Sequence, residues 1–303
     1  MVIRGRRVSL LGVPTSAGGY APGQELAPSA LRSLGLPARL REKGLELQDC
    51  GDLPLQRWRP DRRQRYAQNL GQVLDYASRT SLTVGSRVRA GDAILALGGD
   101  CTVGLGSVAG LSSVGEPRLV YFDMHADLNV PTSTPDGALD WMVLAHAFDH
   151  EEAIDELASF GGDAPLLEPE EVVVLGYEES QSTDFERNAL HEYSLATIAA
   201  GRVVEAPELA AQRALAGLPR DGLLAIHFDV DVIDFTDCPL SENPGRNIGV
   251  TLEAACRALA TLTDDPRLAV ITVTELNPVH AAADTDALAR FLDLLISALA
   301  GQR

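Results

Sequence analysis

Short apolar runs recur along the chain, each breaking off into polar or glycine-rich residues: 8–13, 93–97, 119–122, 172–175, 223–228 and 268–273. Runs of this length with no polar interruption predict strands buried on both faces. Longer stretches with helical spacing lie between them, at 27–34, 62–79, 207–216, 252–261 and 286–300. Strands alternating with helices predict a parallel sheet covered on both sides, an α/β fold. The Pro- and Gly-rich segments 132–137, 160–169 and 236–249 read as loops. With neither a repeat nor a low-complexity linker, residues 1–303 read as a single domain.

The polar residues that follow four of these strands carry the chemistry. GGDC (98–101) follows 93–97, DMHAD (123–127) follows 119–122, DVDVID (229–234) follows 223–228, and ELNP (275–278) follows 268–273. In an open parallel sheet the C-terminal strand ends share one edge, where ligands bind. These four motifs are therefore expected to converge. Asp123, His125 and Asp127 alternate, so an extended backbone points all three the same way. Asp229 and Asp231 repeat the spacing, with Asp234 close behind. Carboxylates crowded at a buried edge repel one another unless cations neutralise them. Mixed carboxylate and imidazole donors suit manganese among the first-row ions, and two cations sharing carboxylates can activate a water.

Composition narrows the setting. The chain has 25 basic and 43 acidic residues, a net charge of −18, which repels nucleic acid and anionic membranes. Its 46% hydrophobic and 22% charged residues suit a folded domain with one large core. Four scattered cysteines, Cys50, Cys101, Cys238 and Cys256, form no CxxC pair and fit reduced thiols in a cytoplasm. The basic N-terminus precedes an apolar run that meets Pro14 too soon for a signal peptide. No apolar run approaches the ~18 residues of a membrane helix.

GGDC, DMHADLN (123–129), FDVDVID (228–234) and ELNP, in that order, resemble the signature motifs of the arginase and agmatinase (ureohydrolase) family. GVPTSAGG, GQELAPSALR (23–32) and QDCGDL (48–53) resemble the family's opening segments, so the likeness spans nearly the whole chain. The resemblance implies a three-layer α/β/α fold with a parallel sheet of about eight strands. It implies two Mn2+ ions, one held by Cys101, Asp123, Asp127 and Asp229, the other by Asp123, His125, Asp229 and Asp231. It further implies that Asp127 assists proton transfer at the attacking water and that Glu275 fixes the substrate's guanidinium. A planar guanidinium pairs well with a carboxylate in a dry pocket, which supports the last role on its own grounds. A homo-oligomer is expected from the same likeness.

The chain departs from the family pattern in three places. Cys101 stands where most members have histidine. As a thiolate it would weaken the Lewis acidity of its ion and favour softer metals; as a thiol it would be a small buried hydrophobe. DGALDWM (136–142) replaces a segment that supplies substrate contacts and a proton-shuttle histidine. Asp136 and Asp140 then take over polar positions there, with Asp140 either a shuttle or a helix N-cap. Asn129 is retained and could contact the far end of the substrate. In GYEESQSTD (176–184), Glu178, Glu179 and Asp184 offer acid for an α-amino group, with Glu178 and Asp184 the chosen candidates. His146 and His150 read as ordinary helix residues, His227 as support for the metal ligands, and His280 as a weak alternative shuttle.

The expected activity is hydrolysis of the guanidino C–N bond of arginine or a close analogue, releasing urea or a substituted urea. Nω-hydroxyarginine is the analogue to test first, because its hydroxyl lowers guanidine basicity. The alternatives are an agmatinase or guanidino-acid hydrolase, and a catalytically degenerate, metal-binding regulatory member. The zinc deacetylase branch of the fold lacks support, since the chain has no HH pair.

Overall fold

The computed structural model describes residues 5–162 and 164–301. Residues 1–4, Asp163 in the 160–169 loop and residues 302–303 lie outside the described residues. Among those described, the strands β1 (Val8–Gly12), β2 (Leu47–Asp52), β3 (Ala93–Leu97), β4 (Pro117–Phe122), β5 (Val172–Tyr177), β6 (Ala196–Ala199), β7 (Leu223–Asp229) and β8 (Leu268–Thr274) form one sheet. Its order is β2-β1-β3-β8-β7-β4-β5-β6, and every pair is parallel. The six apolar runs are the six interior strands. The two edge strands had no such signal, because an edge is covered less: most β2 and β6 residues are exposed, and β6 has only four residues.

Eleven α-helices connect the strands among the described residues: α1 (Ala27–Ser33), α2 (Leu36–Glu42), α3 (Leu70–Arg89), α4 (Thr102–Ser112), α5 (Val143–Ala147), α6 (Asp155–Ala158), α7 (Asp184–Glu192), α8 (Ala200–Glu205), α9 (Pro207–Gly217), α10 (Leu252–Leu262) and α11 (Ala287–Ala300). Strand alternation splits the core in two. Leu95, Val120, Phe122, Ile226, Phe228 and Ile271 face α2, α8, α9, α10 and α11. Ile94, Ala96, Leu119, Tyr121, Ala225 and Val270 face the layer that contains α3, α4 and α5. The result is the three-layer α/β/α arrangement expected.

The helix expected over 62–79 instead runs from Leu70 to Arg89. Asp61 Oδ1 accepts from the Arg63 and Gln64 amides, which makes a turn of that stretch. Asn69 adopts a left-handed φ of 57° just before the helix starts. Downstream, Thr80, Val84 and Val88 carry the buried stripe past Arg79. This stripe packs on α4, whose glycines concealed it from a propensity-based reading. A Cβ on Gly106 would lie 2.7 Å from the Ala77 carbonyl, and one on Gly110 would lie 2.7 Å from Val84 Cβ. The two helix backbones therefore approach where only glycine fits, and that anchors α4 beneath the strand edge that ends in Cys101.

Candidate metal centre

The sheet order makes neighbours of motifs that are distant in sequence. Strands β3, β8, β7 and β4 are adjacent, and their C-terminal ends deliver Cys101, Glu275, Asp229 with Asp231, and Asp123 with His125 and Asp127. Two groups of side chains each offer atoms within 4.8 Å of one another: Cys101, Asp123, His227 and Asp229, and Asp123, His125 and Asp127. Asp123 belongs to both.

Local hydrogen bonds set the carboxylates. Asp123 Oδ1 accepts from the His125 amide at 2.7 Å, and Asp229 Oδ1 accepts from the Asp231 amide at 2.6 Å. The His125 ring sits with Nδ1 3.1 Å from Asp231 Oδ2 and 3.4 Å from Asp123 Oδ1. Cys101 Sγ donates to Asp229 Oδ2 at 2.7 Å. Tyr121 donates its hydroxyl to Asp127 Oδ2. Asn243, from the loop after β7, donates to Asp231 Oδ2 at 3.2 Å. Glu275 Oε1 accepts from the Cys101 amide at 2.9 Å and Oε2 from Gln24 Nε2 at 3.0 Å. Asp127 and Glu275 both hold left-handed backbones, with φ of 47° and 58°, two of only six such non-glycine residues among those described. Strain of this kind concentrates at functional sites.

The electrostatics are those of a site lacking counter-charge. Burial, and then the Asp231 charge, lifts the Asp123 carboxyl to about 7. Burial, reinforced by neighbouring carboxylates, raises Asp127, Asp229, Asp140 and Glu275 well above the carboxylate range. Asp231 is the exception: burial pushes it up, but His125 pulls it below its ordinary value. Burial opposes a charge on His125, yet Asp231 and Asp123 outweigh that and raise its pKa. Burial and the Asp229 charge raise the Cys101 thiol. His227 is driven down to about 3 by burial and is neutral. Asp123 Oδ2 and Asp231 Oδ1 are buried with no hydrogen-bond partner among the described residues. Orphaned anionic oxygens beside imidazole and thiol are the donor set a divalent cation takes, so these residues fit a metal pair.

The remaining expected site residues fall in different places. Asp140 is buried and opens a short 3-10 helix at Asp140–Met142; it accepts from the Trp141 amide at 3.0 Å and donates its own amide to the Gly18 carbonyl. It is therefore the first residue of that turn, not its N-cap. Asn129 is buried, with Oδ1 accepting from Thr183 and Ser133 hydroxyls at 2.7 and 3.1 Å. Asp136 accepts from the Ala138 amide in a turn, and Glu178 accepts from Ser180. Asp184 is turned outward: its side chain is 94% exposed and paired with Arg187. The acid that points inward is Glu186, which accepts from the Ala126 and Leu128 amides at 3.0 and 3.3 Å and so props the DMHAD loop. Asp234 accepts from the Thr236 and Asn247 amides and braces its own loop. His146 is buried in α5, bonded to the Met142 carbonyl, while His150 lies beyond that helix, so the pair shares no helix face. Cys238, in the loop after the DVDVID motif, is fully buried.

Gln24, Tyr121, Glu186 and Asn243 carried no signal in the sequence pattern, since each meets the site through the fold. Comparison with known proteins agrees with this architecture. The sequence model of the arginase family matches residues 6–299. This chain belongs to the arginase family. The arginase of Brevibacillus brevis is 30% identical over 172 residues, covering 56% of this chain and 57% of that protein. The arginase of Bacillus caldovelox is 27% identical over 288 residues, covering 90% and 91%. The solved structure of the B. caldovelox arginase superposes with a TM-score of 0.87 at 23% identity, covering 98% of this chain and 99% of that one. A Trypanosoma cruzi formiminoglutamase variant with Mn2+ superposes at 0.74, with 14% identity and coverage of 99% and 95%. Among the described residues no helix is long and apolar enough to cross a membrane.

Proposed function

We propose that this protein hydrolyses a guanidino C–N bond of arginine or a close analogue at a pair of divalent cations, manganese on at least one side. The observation that carries the reading is the buried cluster of Asp123, Asp127, Asp229 and Asp231 with His125, holding two orphaned carboxylate oxygens that a cation would satisfy. Asp123 and Asp229 would bridge, with Cys101 and Asp127 completing one side and His125 and Asp231 the other. When bound, the pair supplies a water acidified for attack at neutral pH and polarises the substrate.

The chain's own residues would do the rest. Glu275 binds the guanidinium: its carboxylate is already oriented by the Cys101 amide and Gln24, and its burial makes a charge-paired hydrogen bond strong. Asp127, steadied by the Tyr121 hydroxyl, takes the proton of the attacking water and passes it towards the leaving nitrogen. Asp140, buried and with its pKa raised, is the second proton carrier. Asn129 has its oxygen occupied by Thr183 and Ser133, which leaves its amide nitrogen to donate to the substrate's distal carboxylate.

Within this reading, Cys101 and Asp140 favour a less basic guanidine such as Nω-hydroxyarginine, because a thiolate-bound cation is a weaker Lewis acid and no shuttle histidine is supplied. The test is product release by metal-loaded protein from arginine, Nω-hydroxyarginine, agmatine and guanidinobutyrate, compared by kcat/KM. Turnover of a guanidino amino acid that is abolished by Asp127→Ala supports the proposal. Preference for agmatine removes the amino-acid reading, and no turnover of any of the four leaves a metal-binding regulatory member.

A further inference from the structure

His227 lies on β7 two residues before Asp229, so both side chains leave the same face of the strand. Its ring stacks flat on Tyr121, with centroids 4.3 Å apart and planes 4° from parallel. Nε2 lies 3.1 Å from Thr274 Oγ1, and that hydroxyl is in turn 3.6 Å from Cys101 Sγ. The imidazole thus faces the thiol across one small hydroxyl. It is buried, and one of its nitrogens belongs to the same 4.8 Å cluster as Cys101, Asp123 and Asp229. The other side of the ring is held against α4: a Cβ at Gly104 would lie 2.4 Å from Nδ1, so the helix has no side chain where the ring sits. Room has been made for an imidazole on the thiol side of the centre.

We infer that His227 is a ligand of the Cys101-side cation in the place given above to Asp127, which keeps its proton-transfer role, so that side has a Cys101, His227, Asp123 and Asp229 donor set. The inference rests on the metal-pair reading above and changes one half of it. An imidazole nitrogen and a thiolate sulfur with two carboxylates suit zinc, cobalt or ferrous iron better than manganese. The opposite side, with His125, Asp231 and the shared carboxylates, keeps an N/O set suited to manganese. The centre is then a mixed one, with the imidazole supplied from a neighbouring strand and Cys101 giving up its thiol proton on binding. Thr274, released from the ring, is free to donate to the thiolate.

The test uses the full chain loaded with two equivalents of Co2+. A ligating histidine shows a strongly shifted, exchangeable imidazole N–H proton resonance, so two are expected, from His125 and His227. The His227→Phe variant retains an aromatic ring against Tyr121 and should lose one resonance while the thiolate-to-cobalt absorption persists. It should also bind the second Co2+ more than about 100-fold more weakly, beyond the roughly 10–100-fold that losing a mere supporting contact costs. His227→Gln, which keeps a polar partner for Thr274, should show the same loss, separating ligation from packing. Two bound Co2+ with one resonance that His227→Phe leaves unchanged overturns the inference while the metal pair stands. No bound Co2+ at all overturns both.

Discussion

Removing the metals should reverse the way stability responds to pH. In the metal-free protein the Asp123 carboxyl has its pKa raised from 3.8 to about 7, by burial first and Asp231 second. A group that holds its proton more tightly when folded stabilises the fold fully below its unfolded pKa. That contribution disappears as pH rises through the folded value. Asp123 alone therefore costs the metal-free fold on the order of 4 kcal/mol between pH 4 and pH 7. For a chain of this size that corresponds to a fall in Tm of about 6 °C. Asp127, Asp229 and Glu275, raised in the same direction, add to the loss towards higher pH. Asp231, whose pKa is lowered, opposes it only below its ordinary 3.8, outside the window. Bound cations favour the ionised carboxylates, so the loaded protein should hold or gain stability over the same range and lose it on acidification. The assay is calorimetry or thermal denaturation from pH 4.5 to 7.5, on chelator-dialysed and manganese-reloaded protein. A metal-free Tm that rises with pH, or two coincident curves, would refute the reasoning.

Other perturbations follow from individual contacts. Glu275→Gln removes the anionic partner of the guanidinium and should cost about 3 kcal/mol of transition-state binding, roughly 100-fold in kcat/KM, with metal content unchanged by elemental analysis. Cys101→His should tighten manganese binding and shift the pH–rate profile to lower pH as the cation becomes a stronger Lewis acid; identical profiles would count against Cys101 as a donor. Gly110→Ala drives a methyl group into Val84 at 2.7 Å and should destabilise by about 1–3 kcal/mol in denaturant titration, even though alanine is the better helix former. Glu186→Gln leaves a carbonyl oxygen to accept from the Ala126 and Leu128 amides but removes the charge, so metal affinity should fall by about tenfold with little change in Tm.

The interior of the sheet was readable because burial on both faces writes itself as unbroken apolar runs. The convergence of the four motifs was readable because strand direction is fixed in a parallel sheet. Strands β2 and β6 were not, since QDCG and ATIA look like loop when one side faces water. Helix α4 was hidden because its glycines serve packing against α3, which overrides their poor propensity. After β5 the acids offered by the sequence, Glu178 and Asp184, do not include the one that points inward, Glu186, and the reason is local. Thr183-Asp184-Phe185-Glu186 reads as a capping box, in which the glutamate turns back to its own helix end. Thr183 does accept from the Glu186 amide, but the Glu186 side chain leaves the box for the DMHAD loop. Contacts such as Gln24 to Glu275, 251 residues apart, leave no trace in spacing.

The left-handed backbones at Asp127 and Glu275 set two selections against each other. In a saturation library scored for folding alone, glycine and asparagine should rank among the best-tolerated replacements at both positions, because they relieve the conformation. Scored for turnover, the same replacements should rank with the worst. The gap between the two rankings, position by position, is a map of where this chain gives up stability for chemistry.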